Sequence, residues 1–145
     1  MRSSVAAALL VLAAASAAHA ADPAVTIKAA WAPAADKGAD TNLYMTIENH
    51  GAEDAITRVR CEAANFTELR IVDRGEGFPS ARGVKTIPIA AQGETALSNE
   101  GFNVRLLQLT GPLQPGDAFD CSLRLRGGAQ PKVAVTVRPA EAKPE

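Results

Sequence analysis

Apolar and polar residues alternate with a period of two along most of this chain, in short runs separated by turn residues. Residues 118–126 are the clearest case, because Phe119, Cys121, Leu123 and Leu125 share one face and polar or charged residues share the other. This alternation is typical of a β-strand with one face on the core. About nine such runs are present, at residues 25–31, 43–48, 56–61, 67–72, 84–89, 94–97, 102–109, 118–126 and 132–138.

The turn-forming residues between the runs favour an all-β fold. Gly, Pro and Asn separate the runs, and helical periodicity is hard to find. About nine short strands with turn signals between them predict an antiparallel β-sandwich or barrel. The chain has 145 residues and no repeat or linker, which suits one domain with one core. We place this domain at residues 21–138 and expect the Pro/Ala/Glu/Lys tail, residues 139–145, to be disordered.

The first twenty residues follow a different pattern, that of a secretory signal peptide. Arg2 precedes an apolar run at residues 5–18, and Ala18-His19-Ala20 is a cleavage-site sequence. An uncleaved anchor is the alternative, but the run is too short to span a bilayer. No later stretch approaches the roughly 20 apolar residues that a membrane-spanning helix needs. We therefore predict a periplasmic or secreted protein with no membrane span after cleavage.

Charge and motifs exclude several classes of function. The chain has 15 Lys and Arg against 16 Asp and Glu, a formal charge of -1, and loss of Arg2 with the signal peptide makes it -2. This balance gives no support for nucleic-acid binding. The chain has no G-x-S-x-G or H-E-x-x-H motif and no phosphate-binding loop, and His50 is the one His after residue 20. We predict that the protein is not an enzyme.

The two cysteines, Cys61 and Cys121, share faces with apolar residues and are both expected to point inward. Two inward cysteines in an exported protein predict a disulfide, because the periplasm is oxidising. The bond would close a loop of about sixty residues and add roughly 4 kcal/mol in the chain-entropy model. Two separate buried thiols, or a redox-active or copper-binding pair, are the alternatives.

Several segments resemble, in order, those of one known family. They are Ala29-Ala30-Trp31-Ala32, Asn42-Leu43-Tyr44-Met45, Glu48-Asn49-His50-Gly51, Thr67-Glu68-Leu69-Arg70, Gly101-Phe102-Asn103-Val104-Arg105 and Leu113-Gln114-Pro115-Gly116-Asp117. Together they resemble the periplasmic copper chaperones of the PCu(A)C type over nearly all of the chain after residue 20. The resemblance implies a cupredoxin-like sandwich. It also implies a role in handing Cu(I) to periplasmic apoproteins, such as the copper centre of cytochrome oxidase.

The family's ligand spacing is present without its ligands. The family carries a His, then ten residues, a Met, then twenty-one residues and His-x-Met; these positions fall on Arg70, Ala81, Asn103 and Arg105. Arginine offers only donors and stays protonated, so it cannot ligate a cation. Cu(I) prefers sulfur and imidazole, and after residue 20 the chain has one Met and one His. We therefore predict no metal and no other cofactor at this site, and we expect the single His in a solvated turn.

Two interpretations of the arginines remain open. In the first, Arg70 and Arg105 form surface pairs with nearby acidic residues, which contribute little. In the second, they line, together with the neighbouring Arg82, a site for an anion or an acidic partner, because guanidinium suits carboxylate and phosphate. We predict an accessory or interaction protein that does not bind Cu(I) through the family site. A copper chaperone using other ligands, and an anion- or peptide-binding module using Arg70 and Arg105, are the alternatives.

Overall fold

A computed structural model describes residues 24–75 and 77–144, and the expected signal peptide, residues 1–20, lies outside the described residues. The described part of the chain forms strands and no helix. The strands are β1 (Val25–Pro33), β2 (Thr41–Asn49), β3 (Asp54–Cys61), β4 (Ala64–Asp73), β5 (Ser80–Gly83), β6 (Ile87–Ile89), β7 (Gly93–Ala96), β8 (Phe102–Leu109), β9 (Ala118–Leu125) and β10 (Lys132–Arg138). Each expected run overlaps one of these strands, and β5 is the additional one.

The strands hydrogen-bond in the order β5-β4-β8-β2-β1-β10-β9-β3-β6, and β7 pairs with β2 outside this path. Residues 41–43 of β2 pair with β8, whereas its later residues pair with β1 and β7. Strand β2 therefore joins the two halves of an open sandwich. The prediction of an all-β sandwich is confirmed. One pairing differs from the antiparallel expectation: Trp31 of β1 lies opposite Thr136 of β10 in parallel register, so the sheet is mixed.

The core lies between the two halves and is built from their inward residues. The four alternating apolar residues of β9 are buried, as the pattern predicts. From the other half, Leu43 of β2 and Val104 and Leu106 of β8 have 0% exposed surface. Each such side chain contributes about 1.5–3 kcal/mol by leaving water. The apolar faces that the alternation identifies are thus the faces that hold the sandwich together.

Asn49 is a buried polar residue at the end of β2, with 1% of its surface exposed. Its side-chain amide donates to the carbonyl groups of Ala52 at 2.8 Å and Ala90 at 3.0 Å. Its Oδ1 accepts a hydrogen bond from the Gly51 N–H at 2.9 Å. One side chain therefore closes the turn that follows β2 and ties it to the loop after β6.

We expect Asn49→Ala to lower the free energy of unfolding by about 2–4 kcal/mol, because two carbonyls and one N–H lose their partner. Urea denaturation followed by circular dichroism measures this loss. Asn99→Ala is the matched control, since Asn99 is exposed in the turn before β8, and it should change stability by no more than about 0.5 kcal/mol. Equal losses in the two variants would contradict a structural role for Asn49.

The described tail, residues 139–144, begins with a turn. After β10 the Ala142 N–H donates to the Pro139 carbonyl at 2.9 Å. The domain limits of 21–138 and the disorder of residues 139–145 stay predictions. Within residues 24–75 and 77–144 there is no helix of the length and apolar character that crossing a membrane requires.

Candidate functional site

The four positions that match the family's copper ligands lie on three adjacent strands, β5, β4 and β8. Arg70 of β4 is directly opposite Asn103 of β8, and Arg105 follows two residues later on β8. Ala81 of β5 is opposite Val72, which lies two residues from Arg70 along β4. Directly opposite residues have Cβ atoms roughly 4.5–5.5 Å apart, and residues two apart share a face. The register therefore brings all four positions together on one face of the sheet.

The side chains at these positions suit a soft cation poorly. Ala81 presents an exposed methyl group. Asn103 is 3% exposed and its amide nitrogen donates to the Ser98 carbonyl at 3.3 Å. Its Oδ1 is a hard ligand, and the two guanidinium groups have only donors to offer. The geometry of a site is present, but its donor set is not that of a copper site.

Neighbouring polar groups contact the two arginines. Arg105 Nη1 donates to Asn42 Oδ1 at 3.1 Å, and the Asn42 amide donates to the Tyr44 hydroxyl at 3.0 Å. Arg70 Nε lies 3.7 Å from Glu68 Oε2, and this buried nitrogen makes no hydrogen bond among the described residues. Nothing in the sequence pattern singled out Asn42, because its contact depends on the pairing of β2 with β8.

The network continues into an aromatic cluster next to the site. Tyr44 packs against Trp31 with ring centroids 4.9 Å apart, and the Arg138 guanidinium lies 4.6 Å from the Trp31 ring centroid. This distance suits a cation–π contact. Trp31 and Tyr44 are buried, at 4% and 5% exposure. The cluster therefore gives the Asn42 side of the site a rigid support.

The third arginine, Arg82, is separated from the other two. It lies opposite Ile71 on β4, so it occupies the other face of the sheet from Arg70. Its Nε donates to Asp73 Oδ2 at 2.7 Å. The register thus groups Arg70 with Arg105 and gives Arg82 a carboxylate partner of its own.

The soft-ligand residues of the described chain lie away from this face. Met45 is 2% exposed and faces the core. His50 is exposed in the turn after β2, where its Nε2 lies 2.6 Å from Glu48 Oε1. Within residues 24–75 and 77–144 no group of three His, Cys, Asp or Glu side chains is arranged to hold a metal ion.

Glu48 also pairs with Lys28, and this contact sets a pH dependence. The hydrogen bond from Lys28 lowers the pKa of Glu48, and the same contact raises the pKa of Lys28. A carboxyl whose pKa is lowered on folding stabilises the protein above its unfolded pKa of about 4.5. The stabilisation is lost as the pH falls through the lower, folded pKa.

We therefore expect Glu48→Gln to be less stable than the wild type at pH 7, and by a smaller margin at pH 3, because the stabilisation diminishes as the pH falls below 4.5. Urea midpoints at the two pH values measure this difference. Glu53→Gln, exposed in the turn after β2 and outside the ion pairs of the described residues, is the charge-matched control and should leave the pH dependence nearly unchanged. A stability gap for Glu48→Gln that is constant with pH would contradict the assignment.

The structure joins Cys61 and Cys121 by a disulfide. The two residues are directly opposite each other on β3 and β9, with Cα atoms 4.1 Å apart and a separation of 60 residues. Both are buried, at 5% and 3% exposure. The bond links two neighbouring strands on their inward face. Reactive cysteines, in contrast, are partly exposed.

Solved PCuAC domains share this fold. The copper-bound PCuAC domain from PmoF2 is 16% identical with a TM-score of 0.68, over 81% of this chain and 94% of that domain. CuI-DR1885 from Deinococcus radiodurans is 24% identical with a TM-score of 0.67, over 83% and 81% of the two chains. Apo-DR1885 from the same organism is 26% identical with a TM-score of 0.59, over 96% and 94%. Comparison with curated proteins finds no match.

The chain therefore has the cupredoxin-like β-sandwich fold of the solved PCuAC domains. The resemblance seen in the sequence is thereby confirmed. The sequence model of the LpqE-like lipoprotein family matches residues 25–137, and the chain belongs to this LpqE-like family.

Proposed function

We propose that this protein is an exported accessory or interaction protein of the copper-chaperone type that does not hold Cu(I) at the family's site. One observation carries the proposal. The four ligand positions share one face of the sheet, and two guanidinium groups, a methyl group and a buried amide occupy them. The framework of the site is kept while the soft donors are replaced.

Electrostatics supports the proposal. A cuprous ion at this face would meet the positive charges of Arg70 and Arg105, which stay protonated at any physiological pH. Glu68 lies close enough to offset the first charge. Among the described residues, no carboxylate lies within 4.0 Å of Arg105. An entering cation is therefore repelled before any ligand can contact it.

The protein acts outside the cytoplasm, on a protein partner. The lipoprotein description of the family and the signal-peptide pattern of residues 1–20 support export, to the periplasm or beyond. The partner is a periplasmic protein in copper-enzyme assembly, by analogy with the PCu(A)C class. The protein acts by contact, without catalysis and without a cofactor of its own.

Metal content tests the proposal. The protein is isolated from the periplasm of copper-fed cells under anaerobic conditions, and its metal is counted by mass spectrometry. We expect well under 0.1 copper per chain, roughly the background of adventitious binding at millimolar affinity. About one copper per chain would instead favour a chaperone that uses other ligands.

The buried Nε of Arg70 favours a second candidate, an anion- or peptide-binding module using Arg70 and Arg105. A donor without a partner suits an acceptor that a bound molecule supplies. Arg70→Ala/Arg105→Ala should then abolish binding of the partner, with exposed Arg74→Ala as the control. Unchanged partner binding would show that Arg70 and Arg105 do not form the binding site.

A further inference from the structure

A second group of arginines lies on the outer face of β3 and β9, and the function proposed above does not use it. Arg58 and Arg60 of β3 and Arg124 of β9 are all exposed. Arg58 is directly opposite Arg124, and Arg60 is directly opposite Ser122. Like charges directly opposite each other destabilise a sheet. An anion bound between them would remove that cost.

A β-bulge creates the arginine pair. Between Ile56 and Arg58 strand β3 advances two residues, while β9 advances one, from Leu125 to Arg124. If the strand alternated regularly from Ile56, Arg58 would lie on the inward face; the extra residue Thr57 shifts the alternation by one and places Arg58 on the outer face. The Thr57 hydroxyl donates to the Arg124 carbonyl at 3.1 Å and so fastens the bulge to β9. The local backbone is therefore built to turn Arg58 outward beside Arg124.

An open cavity of about 220 Å³ lies at this pair, and no acidic residue lines it. The polar side chains around it are Arg58, Arg60, Arg124, Ser122 and Gln130. The ion pairs among the described residues include none of the three arginines. Because the whole chain has a formal charge of -1, the positive charge is a local feature and not a consequence of composition.

A further cation lies in the row of Arg60 without lining the cavity. Lys132 of β10 lies opposite Ser122 on the side away from Arg60, so one row across three strands reads Arg60, Ser122, Lys132. The first acids on this face are Asp120 and Glu62, which lie together one row further along. The positive region is therefore compact, and it ends beyond the cavity.

The lining selects the chemical class of the ligand. Guanidinium groups only donate, so the ligand must be rich in acceptors, and three of them favour a charge near −2. A carboxylate has two oxygens, whereas a tetrahedral phosphate group has enough to accept from all three arginines. The volume equals that of roughly seven water molecules, enough for phosphate and a small attached group. We propose that Arg58, Arg60 and Arg124 bind a phosphate-type oxyanion, as free phosphate or as a phosphate ester.

Titration of the full exported protein with inorganic phosphate at constant ionic strength, followed by amide and arginine Nε chemical shifts, tests this site. We expect saturable shifts at the three arginines and at Ser122. Arg58→Gln/Arg124→Gln should weaken binding about tenfold or more, since two charge-assisted contacts are lost. Arg126→Gln is the control, because Arg126 is exposed just after β9 and does not line the cavity; it should change the affinity less than about twofold.

Two further measurements complete the test. Without phosphate, Arg124→Gln should unfold at a higher temperature than the wild type, because the like charge opposite Arg58 is removed. Adding phosphate should raise the unfolding temperature of the wild type but not that of the variant. Glycerol phosphate and vesicles of phosphatidylglycerol, compared with phosphatidylcholine, distinguish a free ion from an ester or a lipid headgroup. Shifts that are non-saturable, or equal losses in Arg126→Gln and the double variant, would overturn the proposal.

Discussion

Replacing the residues at the family's four ligand positions is expected to give a chain that binds Cu(I) with a Kd of about 1 nM or tighter, roughly 12 kcal/mol, whereas we expect the wild type to retain none. The variant is Arg70→His/Ala81→Met/Asn103→His/Arg105→Met. The register already brings these positions together on one face. The change supplies imidazole and thioether, which suit Cu(I), and removes two repelling charges. Competition with a chromophoric Cu(I) chelator measures the affinity.

A matched control distinguishes the effect of the new ligands from the effect of removing two charges. Arg70→Gln/Arg105→Gln removes the same two charges but adds no soft donor, so it should still fail to retain copper. Thermal unfolding of the fourfold variant must be checked, because Asn103 is buried and histidine is larger. A folded fourfold variant that retains no copper would contradict the conclusion that these positions form one site.

Loss of the disulfide is the second large effect. Cys61→Ala/Cys121→Ala is expected to lower the free energy of unfolding by roughly 4 kcal/mol, because the bond closes a 60-residue separation in the unfolded chain. For a domain of this size that corresponds to a fall in Tm on the order of 15 °C. Alanine is preferred to serine, since both sites are buried and a hydroxyl there would need a partner.

Two measurements accompany this variant. Wild-type protein that is denatured without reductant should show no titratable thiol, whereas two thiols would show that the bond is absent in solution. Reduced wild-type protein should lose about as much stability as the double variant, because both lack the same cross-link. A loss below about 1 kcal/mol in both would mean that the unfolded chain retains structure which brings the two strands together.

The fold was predictable where one face of a strand is apolar, and β9 is the clearest example. Strand β5 was missed because all four of its residues, Ser80–Gly83, are exposed and show no alternation. The parallel pairing of β1 with β10 also has no local signature, because it joins residues 105 positions apart, such as Trp31 and Thr136. Hydrophobic pattern identifies strands, but pairing depends on how the whole chain closes.

The candidate site was predictable as a set of positions and not as a set of contacts. Family spacing identified Arg70, Ala81, Asn103 and Arg105, but their arrangement depends on strand register. The hydrogen bond from Arg105 to Asn42 joins residues 63 positions apart, which spacing along one strand cannot show. The same limit hid the arginine pair on β3 and β9, because alternation puts Arg58 on the outer face but only the register of the two strands, shifted by a bulge, places it opposite Arg124.

The measurement that tests the central claim most directly is a Cu(I) titration of the oxidised wild-type protein, in competition with a chromophoric chelator of roughly nanomolar affinity. We predict that the chelator keeps all of the copper, because the ligand positions offer positive charge and no soft donor. Retention of one copper per chain by the protein would contradict this account and would show that the chain binds Cu(I) with other residues.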